Sequence, residues 1–185
     1  MQLLVYILIY PILWIISILP FPIFYLFSDF ICFLTYNIIG YRKKVVRANI
    51  KLALPHLSDK ERLAIEKKFY SHMCDMFLEM IKTITISQKE IEKHFTFSNM
   101  EVYYELEKKN KSIALMCAHY ASYEWVISMN YYIHCKGFGI YKKLSNPYFD
   151  KLVKRIRSKF KAELITTKQT IPTIAENHKN NVLGI

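Results

Sequence analysis

A chain of 185 residues is long enough to bury the core of one domain with length to spare. It has no internal repeats, low-complexity tracts or flexible linkers, and its four cysteines show no CxxC, disulfide or zinc spacing, which suits a reducing compartment. The formal net charge of +11 excludes an acidic solvating protein and suits an anionic membrane surface or acidic partners. Of the 26 basic residues 21 are lysine, in a chain also rich in Ile, Asn and Tyr, so part of the charge is compositional.

The first 41 residues carry a single charge, Asp29. Met1 to Leu19 is apolar enough to cross a bilayer as a helix of about 20 residues. Pro20 and Pro22 break the helical pattern, and Phe21 to Ile39 resumes it with Ser28, Asp29, Thr35 and Asn37 among aromatics. The expectation is one membrane-spanning or deeply embedded helix, a proline break and a second helix at or partly in the interface; two full spans are the less favoured alternative, because Asp29 would be costly near a bilayer centre. A cleaved signal peptide fits poorly: no basic residue precedes the run and no small-x-small site follows it. A buried hairpin of a soluble protein is the bland alternative. Arg42, Lys43, Lys44 and Arg47 follow the apolar region directly, which by the positive-inside tendency puts the remainder in the cytoplasm.

Ser58-Asp59-Lys60-Glu61 is a capping box opening a long amphipathic helix to about Thr83. Leu63, Ile65, Phe69, Met73, Met76, Phe77, Met80 and Ile81 recur at helical spacing and should face a core or the bilayer. Ser87 to Glu90 opens a shorter helix. From residue 94 the pattern alternates: strand 95–97, helix 100–109, strand 112–117, helix from Ser122 to about His134, strand 138–141, helix 147–160, strand 163–166 and helix 171–177. Such alternation predicts a mainly parallel sheet with helices on its faces. Val182 to Ile185 reads as the opening of a buried strand with nothing after it to complete it, so the chain is expected to be a fragment or a truncated product. The expected fold class is α/β: a membrane anchor with an interfacial helix over 1–40, a helical segment over 41–93, and a partial, incomplete α/β domain over 94–185.

Two histidine–glutamate pairs share one spacing. His56 and Glu61 have a structural explanation, since Glu61 is the return partner of the capping box. His119 and Glu124 differ: an apolar run, Ser112 to Ala118, ends on His119, and Glu124 falls in the first turn of the next helix with Ser122 as N-cap. A carboxylate-oriented imidazole is what takes a proton from a hydroxyl. The competing reading is a loop histidine beside a glutamate that only complements a helix N-terminus. Cys117 lies two residues before His119 and would suit a Cys–His nucleophile, but its apolar flanks read as a buried thiol.

Residues 142–161 carry eight cations against Asp150 alone, with Phe149, Leu152, Val153, Ile156 and Phe160 as the apolar stripe of the same helix. Asn146-Pro147 opens it. It is either a solvated lysine surface or a site for phosphate, which the scarce arginines Arg155 and Arg157 suit. Nucleic acid fits the charge, but the anchor and the absence of a recognition motif count against it.

Taken together these residues resemble the lipid A biosynthesis acyltransferases, the lauroyl/myristoyl-type enzymes related to glycerolipid acyltransferases. The resemblance runs along nearly the whole chain. It includes the N-terminal helix and proline break, Tyr41 to Ile50, Leu54-Pro55, Ala118 to Trp125, Tyr141 to Asp150, and Arg155-Ile156-Arg157-Ser158. The His-x4-Glu form is similar to this branch. The resemblance implies a glycerolipid acyltransferase-like fold on the cytoplasmic side of the inner membrane. It also implies His119 as general base on an acceptor hydroxyl, Glu124 orienting it, and an acyl thioester of acyl carrier protein as donor, with no metal or other cofactor. Arg157, with Arg155 as near alternative, would bind phosphate of a phosphorylated lipid acceptor, with Lys142 and Asn146 in the same substrate-binding block. The chain departs from the family at Ala121, Ser122 and Tyr123, where Gly-Asn-Trp is usual, and at Lys143 and Lys161. The family continues past this Leu-Gly-Ile strand into an Asp-Gln pair that helps form the site. Two other functions compete: acylation of another membrane lipid, such as an aminolipid or glycerolipid, and an inactive truncated copy.

Overall fold

The computed structural model describes residues 1–118, 120–177 and 182–184. The expectations for His119 and for Ile185 therefore lie outside the described residues. Helix α1 spans Gln2–Ile18, and Leu19-Pro20 ends it in extended backbone. Helix α2 (Phe21–Phe33) starts with proline in its first turn and runs on as a π-helical stretch, Leu34–Ile39, closed by Gly40 at φ 65°. A left-handed helix terminus is the ordinary use of glycine. By length and composition the stretch long and apolar enough to cross a membrane is Phe21–Ile39, while Gln2–Ile18 is shorter. The sequence reading put the crossing in the first helix. The two roles exchange in length because the π extension adds six residues to the second helix, whereas the proline break cuts the first.

Both apolar helices are fastened to helix α4 (Asp59–Lys82). Thr85 Oγ1 donates to Ser17 O at 2.6 Å, and the buried Lys82 ammonium donates to Leu19 O above the rings of Phe21 and Phe24. The proline break is thus stitched to the end of α4. The opposite flank of α1 and α2 is bare: Leu4, Leu8, Ile12, Ile15, Leu26 and Phe30 are all exposed. An apolar flank of that extent does not stay in water.

Helix α3 (Lys43–Ala53) packs on α4, whose capping box forms as expected, with Ser58 Oγ accepting from Glu61 N and Glu61 Oε2 accepting from Ser58 N. The buried face of α4 differs from the expected stripe. It runs through Glu66, Tyr70, Cys74, Leu78 and Lys82, while Leu63, Phe69 and Phe77 are exposed. Polar residues tolerate that face because each has a partner. Glu66 accepts Arg47 Nε at 2.8 Å and Tyr36 Oη at 3.0 Å, and Glu79 accepts Tyr25 Oη at 2.8 Å. Burial pushes the Glu66 carboxyl up, but Arg47 and Tyr36 more than offset this and hold it below the usual range.

Helices α5 (Gln88–His94) and α6 (Met100–Lys108) lead into the sheet. Four strands, β1 (Ile113–Ala114), β2 (Lys136–Tyr141), β3 (Glu163–Thr166) and β4 (Val182–Gly184), pair in the order β1-β4-β2-β3, all parallel. Helices α7 (Pro147–Ser158) and α8 (Thr170–Glu176) complete the described elements. The molecule is mostly helical with a small parallel sheet, as an α/β reading requires.

Three expected elements change. Residues 95–97 form no strand; Phe95 instead packs into the core, and Phe97 stacks edge-on with Tyr132 at 5.7 Å. The strand expected over 112–117 shrinks to Ile113–Ala114, its described pairing being with Leu183 and Gly184. The helix expected after Ser122 is a 3₁₀ helix, Tyr123–Tyr131, and the Ser122 side chain does not cap it. Burial explains the tighter winding: Trp125, Ile127, Ser128, Met129 and Asn130 are all buried. Amphipathic periodicity cannot hold where nearly every side of the helix is covered.

Strand β2 carries two glycines that admit this packing. A Cβ on Gly137 would sit 1.7 Å from Asn130 Oδ1, and one on Gly139 would meet the tip of Leu164 at 2.8 Å. Gly137→Ala is expected to destabilise the fold by about 1–3 kcal/mol, and Gly139→Ala by less because the Leu164 side chain can turn aside. Chemical denaturation of both variants checks the order.

Candidate active site

Cavity walls come from five elements, among them Leu164 of β3, that meet at the carboxyl end of β2, the edge at which parallel sheets keep their ligands. Gly139, Ile140, Tyr141 and Lys142 supply one wall, and Tyr123, Glu124, Val126 and Ile127 of the 3₁₀ helix another. Met80 of α4, Cys117, and Val153 and Arg157 of α7 close a space of about 490 Å³.

Glu124 and Arg157 meet inside it. Arg157 Nη2 lies 2.7 Å from Oε1 and 3.0 Å from Oε2, and Arg157 Nε lies 3.1 Å from Oε2. The Glu124 side chain is 9% exposed and that of Arg157 26%. A fork-on-carboxylate contact this far from water fixes both side chains. Three contacts from Arg157 and one from the neighbouring Tyr123 hydroxyl fill the carboxylate's roughly four lone-pair sites. Beside it the Tyr123 hydroxyl is pushed up to about 12, first by burial and then by the charge of Glu124 and a hydrogen bond to it.

Local packing explains why Glu124 points inward. Its neighbour Trp125 is buried, donates Nε1–H to Thr83 Oγ1 at 3.0 Å, and packs with Ile86, Ile91, Ile127 and Phe160. Lys159 at the far end of α7 donates to the carbonyl of Ile86 and, at 3.4 Å, to those of Thr83 and Ile84. The turn after α4 is therefore the common support of both halves of the pair. Asp150 supports the opposite rim: it is buried, accepts Leu144 N at 2.9 Å, and so ties the 142–146 loop to α7.

The other expected residues separate. Lys142 lines the same cavity as Glu124 and Arg157 and is exposed. Asn146 caps α7, accepting from Tyr148 N at 3.0 Å and Phe149 N at 3.5 Å, and donates to Gln2 O at 3.4 Å. Arg155 projects from the other side of α7 into a separate pocket with Tyr10, Ile84 and Lys159. Arg157 rather than Arg155 is therefore the arginine beside Glu124. Cys117, expected to be buried, is exposed and lines the cavity, because the chain leaves the sheet after Ala114. Among the described residues no cluster of His, Cys, Asp or Glu could hold a metal ion.

Sequence reasoning passed over two residues of the site, Met80 and Tyr123, and the supporting Asp150. Asp150 had left a signal, as the lone acid in a stretch of eight cations.

A second, apolar pocket of about 210 Å³ adjoins the first and shares Met80, Leu144, Val153 and Arg157 with it. Its remaining wall is Leu13, Ile81, Ile84, Phe149, Leu152 and Ile156, so α1 closes one side. Tyr6 holds α1 there, with its ring centroid 5.8 Å from Tyr148 and 5.5 Å from Phe149.

An ion pair at the carboxyl edge of a parallel sheet, opening on an apolar pocket, defines an α/β protein with a site suited to an amphiphile. The sequence profile of the bacterial lipid A biosynthesis acyltransferase family matches residues 1–185, the whole chain, and the chain belongs to that family. No curated protein matches it. Membership implies an acyltransferase with a lipid acceptor.

Proposed function

We propose that this protein is a membrane-associated O-acyltransferase that moves a fatty acyl chain from an acyl carrier protein thioester to a hydroxyl of a lipid A precursor. The observation that carries the reading is the Glu124–Arg157 pair at the junction of a polar cavity and an apolar pocket. Amphiphile chemistry needs that junction: the reacting carbonyl beside fixed charges, and the hydrocarbon in a dry slot.

His119 acts as general base. It takes the proton of the acceptor hydroxyl as the oxygen attacks the thioester carbonyl. The tetrahedral intermediate then collapses, the carbon–sulfur bond breaks, and the carrier thiol leaves with a proton. No covalent enzyme intermediate and no cofactor is required. Glu124 orients the imidazole, accepting its N–H in place of the Tyr123 hydroxyl, which holds that acceptor site in the absence of substrate. Arg157 holds Glu124 through Nε and Nη2; in this reading its Nη1 donates to phosphate or to charge developing at the reacting centre. Lys142, exposed at the cavity, suits the phosphates of the acceptor. The basic helix α7 suits the acidic carrier protein.

The exposed apolar flank of α1 and α2 supports a membrane seat, and the basic residues after Ile39 support a cytoplasmic site at the inner membrane. The test is transfer from acyl carrier protein to a tetra-acylated lipid A precursor, with the protein expressed from its complete open reading frame. Val153→Trp, which fills the apolar pocket, is expected to shift the preferred acyl chain to a shorter one while leaving some turnover. A deletion strain with unchanged lipid A acyl number would move the acceptor to an aminolipid or glycerolipid.

A further inference from the structure

Helix α3 follows directly on the stretch that is long enough to cross a membrane, and none of its residues is buried. Residues 40–53 contain Arg42, Lys43, Lys44, Arg47 and Lys51 and no acid. At 100° per residue the four lysines and arginines of α3 fall on one arc and Val45, Val46, Ala48, Ile50, Leu52 and Ala53 on the other.

Two of these cations are turned inward and set the rotation of the helix. Arg47 reaches the nearly buried Glu66 carboxylate at 2.8 Å and 3.2 Å, and Lys43 lies 3.7 Å above the ring of Tyr36. With that rotation fixed, the side facing away from α4 carries Val45 and Leu52, 43% and 83% exposed, flanked by Lys44 and Lys51. Tyr41, at the head of the helix, is 51% exposed, and the Tyr70 hydroxyl bonds its carbonyl. Asp59, which feels the charge of Lys51, is already paired with Arg62 at 2.6 Å. The result is an exposed apolar ridge bordered by the exposed lysines Lys44 and Lys51, held in one orientation next to a membrane-inserting segment.

We infer that α3 is an anionic-lipid-binding helix: Val45 and Leu52 insert among acyl chains while Lys44 and Lys51 engage the phosphates of acidic lipids. The inference rests on the membrane seat proposed above. Charge complementarity and continuity with the Phe21–Ile39 helix select an anionic bilayer surface over a protein partner. The ion pair of Arg47 with the buried Glu66 carboxylate orients the helix, so the ridge is presented without a folding step. An amphipathic helix seated in this way would set the height of the Glu124 cavity above the acyl chains.

The experiment places an environment-sensitive fluorescent amino acid at Leu52, and in a second sample at Leu26 of α2. The protein, from its complete open reading frame, is reconstituted in vesicles of phosphatidylcholine with or without phosphatidylglycerol. The Leu52 probe is expected to shift to the blue with phosphatidylglycerol, to be quenched by brominated lipid rather than aqueous iodide, and to lose the shift in Lys44→Glu/Lys51→Glu or in high salt. A Leu52 probe open to iodide in both vesicles, with Leu26 protected, overturns the inference and leaves the membrane seat standing. Iodide quenching at both positions overturns both. Protection of Leu52 that is equal in the two vesicles and unaffected by the charge reversals overturns the role given to acidic lipid.

Discussion

Arg157→Ala is expected to lower acyl transfer by about 100-fold or more and to destabilise the fold by about 2–3 kcal/mol. The reason lies in what the substitution leaves behind. Glu124 is 9% exposed and receives three contacts from one guanidinium. Without it a desolvated carboxylate keeps only the Tyr123 hydroxyl and has no counter-charge, a condition that costs about 3–5 kcal/mol in a fully buried pair; the partial exposure of Arg157 reduces the figure. Arg157→Lys keeps the charge but not the planar fork, so it should recover stability more than turnover. The Glu124→Ala/Arg157→Ala double variant should be more stable than additivity predicts, because removing both partners strands neither. Thermal denaturation of the four proteins with transfer rates for each separates the two contributions.

Trp125→Ala is expected to cost about 3–5 kcal/mol, the range for deleting a large buried aromatic side chain. Trp125 is 1% exposed and centres the cluster of Ile86, Ile91, Ile127, Phe160 and Ala162. Its indole also satisfies Thr83 Oγ1, whose hydroxyl in turn bonds Glu79 O at 2.9 Å. Trp125→Phe keeps most of the packing and loses only that hydrogen bond, at about 1 kcal/mol. Because Trp125 and Glu124 are consecutive, the alanine variant should lose activity even at temperatures where it remains folded. Denaturant midpoints and residual transfer rates for both variants provide the check.

Local chemistry made much of the architecture legible. The Pro20/Pro22 break, the Ser58 and Ser87 caps, the Asn146-Pro147 start of α7 and the parallel alternation all rest on signals within a few residues. The failures share a different cause. Trp125 to Asn130 wind as a 3₁₀ helix because they are covered on nearly all sides, and residues 115–118 leave the sheet where β1 runs out of described partners. Neither fact has a local signature. The apolar stripe of α4 is half-buried or exposed, and what its periodicity does not show is that Glu66, Glu79 and Lys82 turn inward onto distant partners.

The site was legible as residue types but not as a pairing. Glu124 and Arg157 were both singled out, one for an imidazole and the other for phosphate. Nothing in the sequence joins positions 33 residues apart, and only β2 and α7 between them bring the two into contact. Arg155 and Arg157 were near equivalents by composition, and the turn of α7 separates them into different pockets.

The central claim is the proposed one: His119 removes the proton of an acceptor hydroxyl and the Glu124–Arg157 pair supports that step. Its most direct test is the rate of acyl transfer from acyl carrier protein to a tetra-acylated lipid A precursor by the wild-type protein and by His119→Ala at equal folded concentration. A fall of about 100-fold or more, with little change in KM, is the predicted result. Undiminished turnover in His119→Ala would contradict the account.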